Sequence, residues 1–247
     1  MSLPDTRPDT HRIMAAVDAT WPPAEYRELG PWLLRRGAGG GQRVSAASSE
    51  DQSASLEPAI EGMKAWGQDP LFRVTPDQAE LDSRLDQAGF RRHDPVALYT
   101  ALAADLDDGA DHTVKVFHVG APLAIVDEIW TAGGIGPGRR AVMARAQGQA
   151  MTLMARADDQ PVGVAFVATD GAVAMIHAIE VAPQHRRKGG GALLIRGAAR
   201  FATQSGAKWL TLAVTEANGP ARALYEKLGM AHVGGYHYRA LAQRIGQ

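Results

Sequence analysis

The chain has no cysteine among its 247 residues. That absence removes disulfide frameworks, cysteine-ligated zinc, iron-sulfur centres and thiol nucleophiles together, and it suits a reducing compartment, so a cytoplasmic location is expected. Charge of one sign is also missing: 26 Lys and Arg stand against 27 Asp and Glu, for a formal net charge of −1. No general field gathers nucleic acid or anionic membrane, and any anion site has to be local. Long apolar runs are scarce. Asp170 is the one formally charged residue between Pro161 and Ile179, but glycines and the Thr169-Asp170-Gly171 turn signal divide that stretch into two strand-length pieces, so no membrane span is expected. The opening Met1 to Pro8 has no apolar segment behind its basic residue and reads as a tail rather than a secretory signal. With 45% hydrophobic and 21% charged residues the composition is that of a folded protein, and the length allows one large domain or two of roughly 100 to 150 residues.

Trp32–Arg36 and Arg43–Ala47 read as strands around a glycine-rich hairpin loop, Gly37 to Gln42. Leu56, Ile60 and Met63 share one helical face ahead of Gly67. Leu71–Val74 follows as a strand, and Thr75-Pro76-Asp77-Gln78 carries the residues of a capping box for a helix that ends before Gly89. A strand is expected through Val96–Tyr99. The acidic, glycine-interrupted stretch Asp105 to Asp111 is the expected linker, dividing the chain into residues 1–107 and 112–247. Beyond it come a short strand near Val116, helical patterns at Asp127–Trp130 and Arg139–Arg145, and three strands at Met151–Ala157, Val162–Val167 and Ala172–Val181. Tight turns between these favour an antiparallel meander. The remainder alternates: a helix through Leu194, Ala198 and Phe201, a strand at Lys208–Val214, a helix capped by Asn218, and a strand over Ala231–Tyr238. The fold class is α/β with a mixed sheet.

Chemistry concentrates in Val181-Ala182-Pro183-Gln184-His185-Arg186-Arg187-Lys188-Gly189-Gly190-Gly191-Ala192. This segment leaves a strand and enters a helix through three glycines. Backbone without Cβ lets a ligand approach closely, free N–H groups point outward at a helix start, and the helix dipole favours an anion there. Arg186, Arg187 and Lys188 add local positive charge. A solvated basic loop accounts for glycine and charge equally well. Gly37–Gly41 is also glycine-rich but opens no helix, the dinucleotide and triphosphate loop spacings are absent, and His185, His232 and His237 lack a paired metal spacing, so no metal is expected. Tyr236-His237-Tyr238-Arg239 is read as strand packing.

The order Val-x-Pro-x-x-Arg-x-x-Gly-x-Gly, followed by Asn218-x-x-Ala221-x-x-Leu224-Tyr225-x-x-x-Gly229, resembles the GCN5-related N-acetyltransferases, GNAT for short. The resemblance covers about Val116 to Tyr238. It implies the GNAT acyl-CoA N-acyltransferase fold, with the smaller N-terminal half as a degenerate GNAT-like copy lacking the phosphate loop. It also implies acetyl-CoA as acyl donor, a small-molecule or peptide amine as acceptor and direct acyl transfer. Carried over by position, backbone amides from Arg187 through Lys188, Gly189, Gly190 and Gly191 to Ala192 hold the diphosphate, and Arg186 starts the loop. Main-chain groups of Ile179 and Val181 pair with the pantetheine arm, Asn218 helps hold the coenzyme, and Tyr225 protonates the departing thiolate.

The general base is the open position. Relatives carry a glutamate at the places occupied here by Met175 or Ala213, neither of which accepts a proton. His177 and Glu180 share a strand, where alternation sends them to opposite faces unless a bulge intervenes. His177 and Glu180 stand equally as the base on this strand, Glu180 being the one taken as catalytic; Glu128, Glu216 and His237 are further candidates, and a water chain or an acceptor already neutral at working pH needs no dedicated side chain. The missing glutamates equally suit a non-catalytic acyl-CoA-binding or regulatory module. Oligomeric state, monomer or homodimer, has no signature in the sequence.

Overall fold

The computed structural model describes residues 6–107, 116–118, 123–157 and 160–241. Helix α1 (Thr10–Thr20) starts at Asp9, whose carboxylate accepts the Arg12 amide at 2.8 Å, and it buries Ile13, Met14, Ala16 and Val17 along one stripe. Strands β1 (Glu25–Leu29), β2 (Trp32–Arg36) and β3 (Ser48–Ser49) make a small antiparallel sheet. Next come α2 (Glu57–Ala65), β4 (Leu71–Val74), α3 (Ala79–Gln87), β5 (Phe90–Leu102) and α4 (Ala103–Leu106). The rest of the chain supplies β6 (Val116–His118), α5 (Ala124–Ala132), α6 (Pro137–Met143), β7 (Ala150–Ala157), β8 (Gln160–Asp170), β9 (Val173–Val181), α7 (Gly190–Gln204), β10 (Trp209–Thr215), α8 (Gly219–Lys227) and β11 (Ala231–Leu241).

Eight strands form one mixed sheet in the order β4-β11-β5-β10-β9-β8-β7-β6. Only the β9/β10 pair is parallel; the other six neighbouring pairs are antiparallel, and β7-β8-β9 form the expected meander. The segments 1–107 and 112–247 share this sheet. Strand β5, from the first, lies between β10 and β11 of the second. The acidic stretch between them begins inside α4, where Leu106 is buried, and Asp107 bonds Arg200 at 3.0 Å; residues 108–111 lie outside the described residues.

Helices cover both faces. Leu194, Ile195 and Ala198 of α7 pack on Ala165, Ala174, Ile176 and Leu210. On the other face Ile13, Met14 and Val17 of α1 pack on Val173, Met175 and Trp209, while Val126 and Trp130 of α5 cover Val164 and Phe166. Being covered on both sides is why β8 reads as a continuous apolar run rather than an alternating one. Asp18 fixes α1: its carboxylate takes Arg35 at 2.7 Å and Arg73 at 3.2 Å, both guanidinium groups being buried. Burial alone raises the Asp18 pKa, but Arg73 and Arg35 outweigh it and hold the carboxyl below its usual range.

Two local expectations differ. Arg43–Ala47 forms no strand: Gln42–Val44 is a 3-10 turn, and Ala47 makes a single bridge to Phe72. The reason is that β1 and β3 already occupy both edges of β2, and Gly39 and Gly41 turn the chain away at positive φ. Helix α3 begins at Ala79 rather than at Pro76, although Gln78 Oε1 does accept the Thr75 amide at 3.1 Å.

Candidate active site

Strands β9 and β10 pair only from Val173 to Met175 against Trp209 to Thr211. Beyond that register they diverge, and Ile176–Glu180 faces Leu212–Thr215 across a cleft of about 470 Å³. A bulge bends β9 at the same point. Phe166 pairs with His177 and Val164 with Glu180, so β9 carries one residue more than β8, and Ala178 takes φ +52°. The Ala178 carbonyl, turned out of the ladder, accepts the Trp130 indole N–H at 2.9 Å. The bulge resets alternation, and His177 and Glu180 both line the cleft.

Backbone groups are open along one edge. The Ala182 amide bonds the Val162 carbonyl on the β8 side at 3.0 Å, so alternation turns the main chain of Ile179 and Val181 toward the gap. The Val181 carbonyl is occupied by Arg186 Nε at 3.1 Å, which leaves Ile179 as the freer position. The loop then makes one 3-10 turn at Pro183–His185, passes Arg187 at φ +62° and Gly189 at φ +90°, and enters α7. The first helical bond is Leu193 N–H to the Gly189 carbonyl at 3.1 Å; the amides of Arg187, Lys188, Gly189, Gly190, Gly191 and Ala192 precede it with no backbone acceptor among the described residues. Gly190 sits against Val181 and Val162, and a Cβ on Gly191 would stand 3.0 Å from Leu224, so α7, β9 and α8 converge at this loop.

The sequence model of the Acetyltransferase (GNAT) family matches residues 127–230. Residues 127–230 form a GNAT domain. The chain is 24% identical over 245 residues to the uncharacterized N-acetyltransferase YobR of Bacillus subtilis, covering 94% of this chain and 98% of that one. It is 51% identical over 59 residues to streptothricin acetyltransferase of Streptomyces lavendulae, a stretch that spans 24% of this chain and only 31% of that relative. A GCN5-related N-acetyltransferase from Kribbella flavida superimposes with a TM-score of 0.76 at 18% identity over 95% of this chain and 96% of the other, which places the two in one fold.

Around the cleft of the GNAT domain the polar groups are unequal. Tyr225, on α8, is buried, and its hydroxyl has no hydrogen-bond partner among the described residues. Burial, and secondarily Tyr99, raises its pKa to about 12, so it is a neutral phenol across the physiological range. Glu180 is tied to Arg186 at 3.0 Å, its side chain 16% exposed, and Gly133 at the end of α5 leaves room for it: a Cβ there would overlap Cγ, Cδ and Oε2. Asn218 lines the cleft while its side chain caps α8, accepting the Ala221 amide at 3.2 Å.

His177 is satisfied. Thr20 Oγ1 donates to the Ala16 carbonyl at 2.6 Å and therefore accepts from His177 Nε2 at 2.8 Å, which leaves Nδ1 to accept from Arg43 Nη1 at 3.4 Å. Burial first, then Arg43, push its pKa well below the ordinary 6.5. A ring so placed holds α1 to β9 and is a poor base. The other three candidate bases fall away from the cleft: Glu128 and Glu216 are exposed and do not line it, and His237 bonds Asp82 at 2.6 Å toward α3. Met175 is buried and touched by the Thr211 hydroxyl, and Ala213 lines the cleft without a polar group.

Several lining residues come from parts of the chain that the sequence motifs do not cover. Trp21 follows α1, Gly40, Gly41 and Arg43 belong to the glycine loop, Arg139 begins α6, and Tyr238 lies on β11. Helix α1 did carry a readable signal, Asp9 as cap before Ile13 and Val17 at helical spacing; Arg43 and Arg139 carried none. Alternation along β11 sends Tyr236 and Tyr238 to the cleft face and His237 and Arg239 to Asp82 and Asp86.

Proposed function

We propose that the protein is an N-acetyltransferase that passes an acetyl group directly from acetyl-CoA to a primary amine. The observation that carries this reading is the divergence of β9 and β10 beside a run of six open amides at the start of α7. Those amides, aided by the helix dipole, suit a diphosphate, and the open edge at Ile179 suits the amide-bearing pantetheine arm as an added strand. Acetyl-CoA supplies a thioester carbonyl that an amine can attack, with a thiolate as leaving group. Glu180 takes the ammonium proton so that a lone pair is available, and the Ile179 amide offers a hydrogen bond to the oxyanion.

Tyr225 donates a hydrogen bond to the sulfur as negative charge develops there. Complete transfer of its proton to a thiolate of ordinary pKa, about 8.5, is uphill by roughly 3.5 pH units from a phenol held at about 12, so the proton shed by the amine balances the thiolate. The N-terminal half shapes the acceptor side through Trp21, the glycine loop and Asp94. None of its described helices is long and apolar enough to cross a membrane, and the cysteine-free composition favours the cytoplasm. Met175 and Ala213, where relatives carry glutamate, favour one competing reading, a module that binds acyl-CoA without turning it over.

Calorimetric titration with acetyl-CoA, paired with thiol release across an amine panel, tests both. Gly189→Asp places a carboxylate beside the open amides at the start of α7, where it repels a diphosphate; Gly189→Asn carries the same backbone strain at φ +90° and the same shape without the charge, so it isolates the electrostatic effect. The expected result is binding by wild type and Asn variant and at least a tenfold loss for Asp. No heat with wild type, or equal affinity for all three, refutes the reading, and tight binding with no thiol release transfers it to the non-catalytic module.

A further inference from the structure

The wall of the cleft that α1 and the glycine loop build holds a cation with no counter-ion among the described residues. Arg43 is only partly exposed, and its polar neighbours among the described residues are all uncharged: His177 Nδ1 at 3.4 Å and the hydroxyls of Tyr236 and Tyr238. Its Nε is sealed from solvent without any partner. Three other enclosed arginines are matched to acids, Arg35 and Arg73 to Asp18 and Arg239 to Asp82 and Asp86, whereas Arg145, away from the cleft lining, has the Pro22 carbonyl and a sealed Nη2. The acids on the cleft lining do not serve Arg43, because Glu180 is held by Arg186 and Asp94 stands 3.0 Å from His93. Two phenols, Tyr236 and Tyr238, stand beside the guanidinium, their oxygens accepting from it. Arg139 adds a second cation at the rim, lying against Gly41.

An enclosed guanidinium without an anion is expensive to keep, whereas a planar N–H fork pairs with a carboxylate through two parallel bonds. We propose that Arg43 receives a carboxylate of the acceptor, so that the acetylated amine belongs to a small amino-acid-like molecule. A cleft of about 470 Å³ that also admits the end of the pantetheine arm leaves space for a compact acceptor. Its anion sits against Arg43, Tyr236 and Tyr238 and its amine reaches toward Glu180. A phosphate would call for more donors than one fork and two phenols. This inference rests on the acetyl-transfer reading.

The test is a panel of the common L-amino acids and short dipeptides, each beside its C-terminal amide, assayed with acetyl-CoA by thiol release. At least one acid should be acetylated with kcat/KM tenfold or more above its amide. Arg43→Gln should abolish that preference, chiefly through KM, while calorimetry shows unchanged acetyl-CoA affinity. The corresponding N-acetyl acid should bind the CoA complex of wild type and not of the variant. Arg43→Lys, which keeps the charge and loses the fork, should recover part of the preference and guards against a folding defect, as does the wild-type panel itself. Amides or decarboxylated amines used as well as the acids, or no acid acetylated, overturns the carboxylate seat while leaving acetyl transfer intact. Failure to bind acetyl-CoA removes the parent reading instead.

Discussion

Gly133→Ala separates the position of Glu180 from its presence. Gly133 has φ −83° and ψ 6°, which alanine adopts without strain, so the backbone tolerates the change and the unfolded chain loses entropy worth about 0.4 to 1 kcal/mol in favour of folding. The new methyl would overlap Cγ, Cδ and Oε2 of Glu180 at once. That side chain is the far end of a flexible residue on a cleft wall, so it moves, and moving it breaks the pair with Arg186. With Arg186 more than half exposed, that pair is worth no more than about 1 kcal/mol. Residual crowding adds about 1 kcal/mol, the low end for an inserted methyl, and the sum leaves stability within about 2 kcal/mol of wild type. Catalysis is the larger effect: a base removed from its place forfeits about 10² to 10⁴ in kcat. Denaturant melts, acetyl-CoA calorimetry and steady-state rates together decide it. The expected pattern is near-normal stability, retained coenzyme affinity and kcat reduced a hundredfold or more, matched by Glu180→Gln. A Gly133→Ala enzyme with wild-type kcat would mean that Glu180 is not the base.

Tyr225→Phe should lower kcat about 10- to 100-fold with coenzyme affinity kept, and wild-type rates should show no loss from phenol ionisation below about pH 11; unchanged turnover means the sulfur needs no phenol. Asp18→Ala leaves Arg35 and Arg73 enclosed without their carboxylate and should cost about 3 to 5 kcal/mol in a urea melt, whereas a loss under about 1 kcal/mol would show that α1 is not fixed there. His177 stays neutral when folded, its pKa lying well below 6.5, so the unfolded chain binds a proton that the native ring refuses as pH falls below about 6.5. Stability should therefore drop by about 1.4 kcal/mol per pH unit through that range, and His177→Gln should show a slope shallower by that amount.

Much of the GNAT half was legible because its signals are local. The proline, the arginine and the three glycines after β9 specify a strand-to-helix turn on their own, and Asn218 caps α8 from its own sequence neighbourhood. The bulge at Ala178 was not legible, since alanine at φ +52° is held there by Trp130 from another helix. For the same reason the side of the strand that Glu180 faces could not be read from alternation. Arg43 was misplaced in a strand because what turns it into the cleft is the contact of Gly39 with Gly138, where backbone meets backbone across 99 positions in sequence. The glycine run was recognisable as a loop and Arg139–Arg145 as a helical pattern; that the two meet was not.

Strand β5 is synthesised before the acidic stretch, yet both its edges are completed only by residues that follow much later, β10 on one side and β11 on the other. As the chain emerges from the ribosome, β5 waits as an unpaired template, apolar from Val96 to Tyr99, until β11 arrives, and it cannot nucleate a finished half by itself. Cutting the gene at the acidic stretch would leave one product with a bare strand and the other with a slot of matching width. Co-expressing the two pieces should restore a single noncovalent particle that neither piece forms alone.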